Sequence, residues 1–233
     1  FNPGDLAGYK RFIKKTERIY EAGFSLIDKP FHKLSTMLKL LPELVSLRSD
    51  KSVADFVGDH IKDERLRQVF SFHPLLVGGN PYQSTSIYAL IHKLEQESGV
   101  WFAMGGTGAL VKALVRLFED IGGKIKLNSA VRQIIVDPVS HKASGVLTEG
   151  GAVIDADTVV SNGDVASTYL NLVEPNVRRK NTDRKIKRKN YSMSLFVIYF
   201  GTNRKYDNVA HHEILMGPRY KGLLRDIFDR KVL

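Results

Sequence analysis

The chain has 233 residues, with 35 Lys and Arg against 25 Asp and Glu, a formal net charge of +10. Apolar residues make up 43% and charged residues 26%, ordinary globular usage that excludes wholesale disorder. There is no cysteine, which excludes a disulfide scaffold, a thiolate metal site and a cysteine nucleophile. The length suits one large domain or two small ones. The chain opens on Phe1 with no charged-then-apolar leader and closes abruptly on Asp229-Arg230-Lys231-Val232-Leu233, so an internal piece of a longer chain is expected. The stretch from Gln68 to His92 lacks Asp, Glu, Lys and Arg. Gly78-Gly79-Asn80-Pro81 breaks it, so no membrane-spanning helix is expected there.

In chain order, Asn2-Pro3-Gly4-Asp5 reads as a helix start: Asn2 caps, Pro3 suits the first position, and Asp5 faces the positive end. Leu6, Tyr9, Phe12 and Ile13 follow at helical spacing. Pro30 and Pro42 punctuate the next segments, and residues 52–70 carry a second helical pattern. Ser84-Thr85-Ser86 can cap a helix striped by Ile87, Leu90, Ile91 and Leu94, with Gly99 past its end. A short apolar run at 100–104 meets Gly105-Gly106-Thr107-Gly108. Then comes a strongly periodic helix through Leu110, Leu114, Leu117, Phe118 and Ile121, stopped by Gly122-Gly123. Residues 124–127, 131–136, 143–147 and 153–160 read as strands, with a hairpin turn at Glu149-Gly150-Gly151. Residues 193–200 form a further strand candidate. The pattern predicts an α/β fold.

Three features could carry chemistry. Gly106-Thr107-Gly108, between a strand candidate and a helix, is similar to a dinucleotide fingerprint, whose backbone N–H groups cradle a pyrophosphate. Val111 holds the third glycine position, and no acid ends the next strand; the alternative is a tight turn packing helix on sheet. Seven histidines are scattered, none at a metal-binding spacing; His73 and His92 read as core histidines, and no metal is expected. Residues 178–189 hold eight Arg and Lys and one Asp, a net +7 that suits nucleic-acid phosphates, anionic lipid headgroups or a solvated loop. No aromatic residue interleaves the run before Tyr191, which weakens a stacking platform for single strands.

A resemblance adds to these readings. The block Leu66–Pro81, with Ser84–Tyr88, Gly99–Phe102 and Gly105–Val111, resembles bacterial phytoene desaturases, the flavin-dependent carotenoid desaturases. Ser194–Gly201 and Met216–Tyr220 fit the same family in the same order, so the likeness spans essentially the whole chain. It implies part of a flavin amine-oxidase-like fold. A portion of a Rossmann-type FAD domain would join a substrate domain of helices and antiparallel sheet. The implied regions are 1–100, helical and facing substrate and membrane; 101–165, the centre of the FAD domain; and 166–233, a substrate-domain sheet with the basic loop.

The family's N-terminal GxGxxG and its C-terminal glycine-rich segment are not found, so the chain resembles the middle of such an enzyme. The Gly106 turn then corresponds to a second glycine motif rather than to the pyrophosphate loop. The resemblance places the Val131 backbone at the FAD adenine and Asn162 beside the cofactor. Phe70, Phe72, Leu76, Tyr82, Tyr88 and Trp101 would line the hydrocarbon channel; core packing is the alternative for each. Arg184, Lys185, Lys187, Arg188 and Lys189 would contact a membrane. Some relatives carry an Arg–Asp pair where Ser35 and Thr36 stand here, so no catalytic residue is assigned.

The implied activity is FAD-dependent desaturation of phytoene toward neurosporene or lycopene, at a cytoplasmic membrane surface, with quinone or oxygen as acceptor and no nucleic-acid partner. The alternatives are a related carotenoid oxidoreductase (a diapophytoene desaturase, a ketolase or an isomerase-like relative) and a non-catalytic lipid- or nucleic-acid-binding module.

Overall fold

The computed structural model describes residues 1–24, 41–42 and 45–232. Pro30, Ser35 and Thr36, singled out above, lie outside the described residues. The chain divides into two compact units, residues 1–101 with 192–233, and residues 102–191. These are units of contact, whereas the three regions expected from the sequence are divided by role.

The first unit begins as its sequence predicts. Asn2 Oδ1 accepts from the Gly4 amide, Pro3–Asp5 form a 3-10 turn, and helix α1 runs over Leu6–Phe24. Asp5 does more than face a helix end. Its buried carboxylate accepts from the backbone N–H of Lys62 and Asp63, both at 2.8 Å. These bonds, that from Asp63 foremost, hold its pKa below the ordinary carboxylate value. Helix α1 buries Gly8, Phe12, Thr16 and Ile19, one stripe at helical spacing. Gly8 is required by close approach: a Cβ there would stand 1.9 Å from the His60 carbonyl oxygen.

Short capped helices complete the core. Ser52 caps α2 (Val53–Gly58) through the Asp55 amide, and Asp63 caps α3 (Glu64–Ser71) through Arg65 and Leu66. His73–Val77 and Ser86–Ala89 are 3-10 turns, the second capped by Thr85. Helix α4 (Leu90–Ser98) follows directly, and Gly99 at φ +72° ends it. Phe12, Ile19, Val53, Phe56, Val57, Ile61 and Ala89 form the buried cluster. No helix of the described residues is long and apolar enough to cross a membrane.

In the second unit, α5 (Gly106–Asp120) leads to a three-stranded antiparallel meander. Its strands are β1 (Val131–Val136), β2 (Ala143–Thr148) and β3 (Val153–Asp155), with β2 in the centre. Ile134 faces Val146, and Leu147 faces Val153. The expected turn at 149–151 joins β2 to β3, closed by a bond from the Gly151 amide to the Thr148 carbonyl.

Several expected strands differ. Residues 100–104, 124–127 and 193–200 adopt no strand, and β3 stops at Asp155 rather than Val160. Apolar, β-branched text makes a strand only where a neighbouring edge supplies ladder bonds, and these stretches pair with none among the described residues. Leu195–Phe200 therefore remain exposed, as do Leu110, Leu114, Leu117 and Phe118 on α5.

Candidate functional site

The strand–turn–helix reading of Gly106 fails at its strand, because residues 101–103 form none. The turn itself needs its glycines: Gly105 and Gly106 have φ of +81° and +80°, a region costly for other residues. A Cβ at Gly106 or Gly108 would meet nothing within 4 Å, so the backbone there stays open to approach.

Val131 opens β1, an edge strand, whose outward backbone groups are free of β2. Asn162 is exposed in the loop before Asp164, which caps the short helix Val165–Ser167 through the Ser167 amide. The edge-strand backbone at Val131 fits a flavin nucleotide, whose adenine is read by main-chain groups.

The six aromatic and aliphatic residues expected in a channel divide among core, cavity wall and surface. Phe70 packs against Phe12 at 5.7 Å, Tyr9 at 5.4 Å and His92 at 5.3 Å between ring centres. Tyr88 also borders the buried cluster. Phe72 stacks on His73 at 4.4 Å. Tyr82 lies under the Lys221 ammonium at 5.3 Å and lines a cavity of about 530 Å³. That cavity is walled by Lys51, Asp55, Asp59 and Arg67, groups unsuited to a hydrocarbon. Leu76 is 64% exposed and Trp101 87%.

His73 and His92 are both buried, as core histidines would be. Their rings meet edge to face at 4.4 Å, next to Glu95. His92 Nε2 donates to the Phe70 carbonyl at 2.7 Å, because a carbonyl can only accept; Nδ1 then carries the lone pair. Burial pushes the His92 pKa down to about 4, against the opposing pull of that bond. Burial lowers His73 as well. His73 Nδ1 has no hydrogen-bond partner among the described residues, and its Nε2 stands 3.4 Å from the Glu95 carboxylate. Sequence reading missed this juxtaposition. The single local signal is that His92 and Glu95, three apart, share a helix face.

The basic run is not the plain loop expected. Asp183–Lys187 form a helical turn, α6, capped by Thr182, with Ile186 buried. Arg178 is buried too. Its guanidinium donates to the carbonyls of Glu174 and Asn181 and pairs with Asp183 at 2.7 Å. It left the solvated run because two carbonyls and a carboxylate gather around its fork. Arg179, Lys180, Arg184, Lys185, Lys187, Arg188 and Lys189 stay exposed. With Arg178 and Asp183 cancelling, they carry the whole net +7.

The family model described as flavin containing amine oxidoreductase matches residues 2–229. The chain belongs to that family. Its mixed α/β architecture, helices with a small antiparallel sheet, is the fold class expected from the sequence. Within the flavin containing amine oxidoreductases, the chain is 48% identical over 98% of its length to a lycopene-forming phytoene desaturase of Paracoccus sp. (strain N81106 / MBIC 01143). It is 43% identical over 98% to one of Pantoea ananas. It is 42% identical over 97% to a neurosporene-forming phytoene desaturase of Cereibacter sphaeroides. These alignments cover 45%, 46% and 44% of the three relatives, so the chain spans about half the length of the curated relatives it matches.

Proposed function

We propose that this chain forms part of an FAD-dependent oxidoreductase that desaturates phytoene in carotenoid biosynthesis. The observation that carries the reading is 48% identity to a lycopene-forming desaturase across nearly all of these residues. A rival reading, a diapophytoene desaturase, has weaker support: the Methylomonas enzyme of that name is 30% identical.

FAD supplies the hard step when bound, accepting the hydrogens removed from a saturated carbon–carbon bond. The residues here bind, orient and exclude water. The Val131 main chain would meet the adenine, and Asn162 would stand beside the cofactor. Channel roles for Phe70, Phe72, Leu76, Tyr88 and Trp101 belong to the same proposal, without Tyr82, whose cavity is polar; the exposed Leu76 and Trp101 suit a mouth better than a wall. Polar catalytic groups are not demanded by this chemistry, because positioning and desolvation suffice around a cofactor that carries the electrons.

A hydrocarbon of about forty carbons would cost on the order of 30 kcal/mol to extract into water, at ~0.8 kcal/mol per carbon. Such a substrate is taken from a membrane, which supports peripheral attachment at a cytoplasmic bilayer face and a membrane quinone or oxygen as acceptor. The seven exposed cations of 179–189 suit anionic headgroups, each contributing roughly 1 kcal/mol near the surface. Replacing Arg184, Lys185, Lys187, Arg188 and Lys189 by glutamine is expected to weaken co-sedimentation with anionic liposomes at least about tenfold. Unchanged binding at physiological salt would remove the membrane role.

The activity is tested in a chimera. These 233 residues replace the matching segment of the Paracoccus desaturase, and the product is given FAD and phytoene-loaded vesicles. A red-shifted polyene in the extract is the expected product.

A further inference from the structure

We propose that His73, His92 and Glu95 form a binding site for a divalent transition-metal cation of the zinc type. The proposal stands independently of the desaturase reading. His73 opens the 3-10 turn His73–Val77, while His92 and Glu95 project from one face of α4. The site would therefore clamp two separate elements together.

The donor set is what borderline-soft cations take: two imidazoles and a carboxylate. All three ligand atoms lie within 4.8 Å of one another. In a tetrahedral site with bonds of about 2.0–2.1 Å, neighbouring donors stand about 3.4 Å apart. His73 Nε2 and Glu95 Oε1 are already at 3.4 Å. The remaining contraction is on the order of 1 Å.

The surroundings are those a metal site needs. His92 Nε2 is fixed by the Phe70 carbonyl at 2.7 Å, the kind of outer bond that sets tautomer and ring orientation in ligating histidines. Its Nδ1 is thereby left with the lone pair. His73 is buried, and its Nε2 meets only a carboxylate beyond good hydrogen-bond distance. A ring needed only for stacking on Phe72 and His92 could be phenylalanine, with no buried nitrogen left unsatisfied. Three protein donors leave one tetrahedral position to water, on the side where Glu95 meets solvent.

The test is equilibrium dialysis of the chelator-stripped 233-residue chain against Zn²⁺, repeated with Co²⁺ to read the visible absorption of a tetrahedral ion. The expected result is one equivalent bound by the native chain. Glu95→Gln should lose at least about tenfold in affinity, as should His73→Asn. Glu95 is exposed, so its variant keeps the fold and decides the matter even where the His73 variant unfolds. A double replacement of His211 and His212 should leave binding unchanged. No uptake by the native chain overturns the proposal, as does uptake that survives Glu95→Gln.

Discussion

Replacing Phe12 by alanine is expected to destabilise the first unit by about 3–5 kcal/mol, the range for removing a large aromatic ring from a packed core. Phe12 is fully buried and touches rings from three directions: Phe56 at 5.9 Å, Phe70 at 5.7 Å and His92 at 5.2 Å between centres. Collapse of α1 into the hole is resisted by the close pass of Gly8 against His60 and by the Asp5 bonds to residues 62 and 63. Urea unfolding followed by far-ultraviolet circular dichroism measures the loss. Phe12→Leu should recover much of it, since a branched aliphatic side chain refills part of the volume. A loss below about 1 kcal/mol for Phe12→Ala would mean that this cluster is not the core.

Acid is expected to unfold the same unit between pH 6.5 and about 4, the window set by His92. Its folded-state pKa lies below its unfolded value, so within that window the unfolded chain binds the extra proton. Stability is therefore full above pH 6.5 and falls as pH drops toward 4. A shift of that size corresponds to roughly 3 kcal/mol at 1.36 kcal/mol per unit. Burial lowers His73 and His60 in the same direction, which adds to the loss. Unfolding free energies measured in chelator across this range should fall steadily. His92→Gln keeps a side-chain donor toward Phe70 and should flatten the profile. A profile that is level down to pH 4 would contradict the burial of these rings.

Much of this architecture was legible locally. The Asn2-Pro3 start, the cap at Thr85 and the glycine stop at Gly99 are read from adjacent residues and lie where the structure puts them, whereas the helical pattern over 52–70 divides into two helices capped by Ser52 and Asp63. The helix over 106–120 and the hairpin at 149–151 were equally plain, because periodicity and turn chemistry are short-range signals.

Contacts between distant residues were not legible. Residues 193–200 have the composition of a strand, but pairing is decided by a partner edge and not by composition. Arg178 looked like one charge among eight. Only the fold brings the carbonyls of Glu174 and Asn181 around it. His73 and His92 were correctly read one at a time as buried; their meeting with Glu95 depends on how the 73–77 turn packs on α4. The flavin family was visible only through resemblance, since the chemistry belongs to the cofactor and leaves no charged constellation in the sequence.

The most direct test of the central claim is the visible spectrum of pigment extracted after the chimera, loaded with FAD, is incubated with phytoene in vesicles. The account predicts a red-shifted polyene, whose band positions count the double bonds added. A colourless extract from folded, flavin-loaded chimera, under conditions where the intact Paracoccus enzyme forms lycopene, would contradict it.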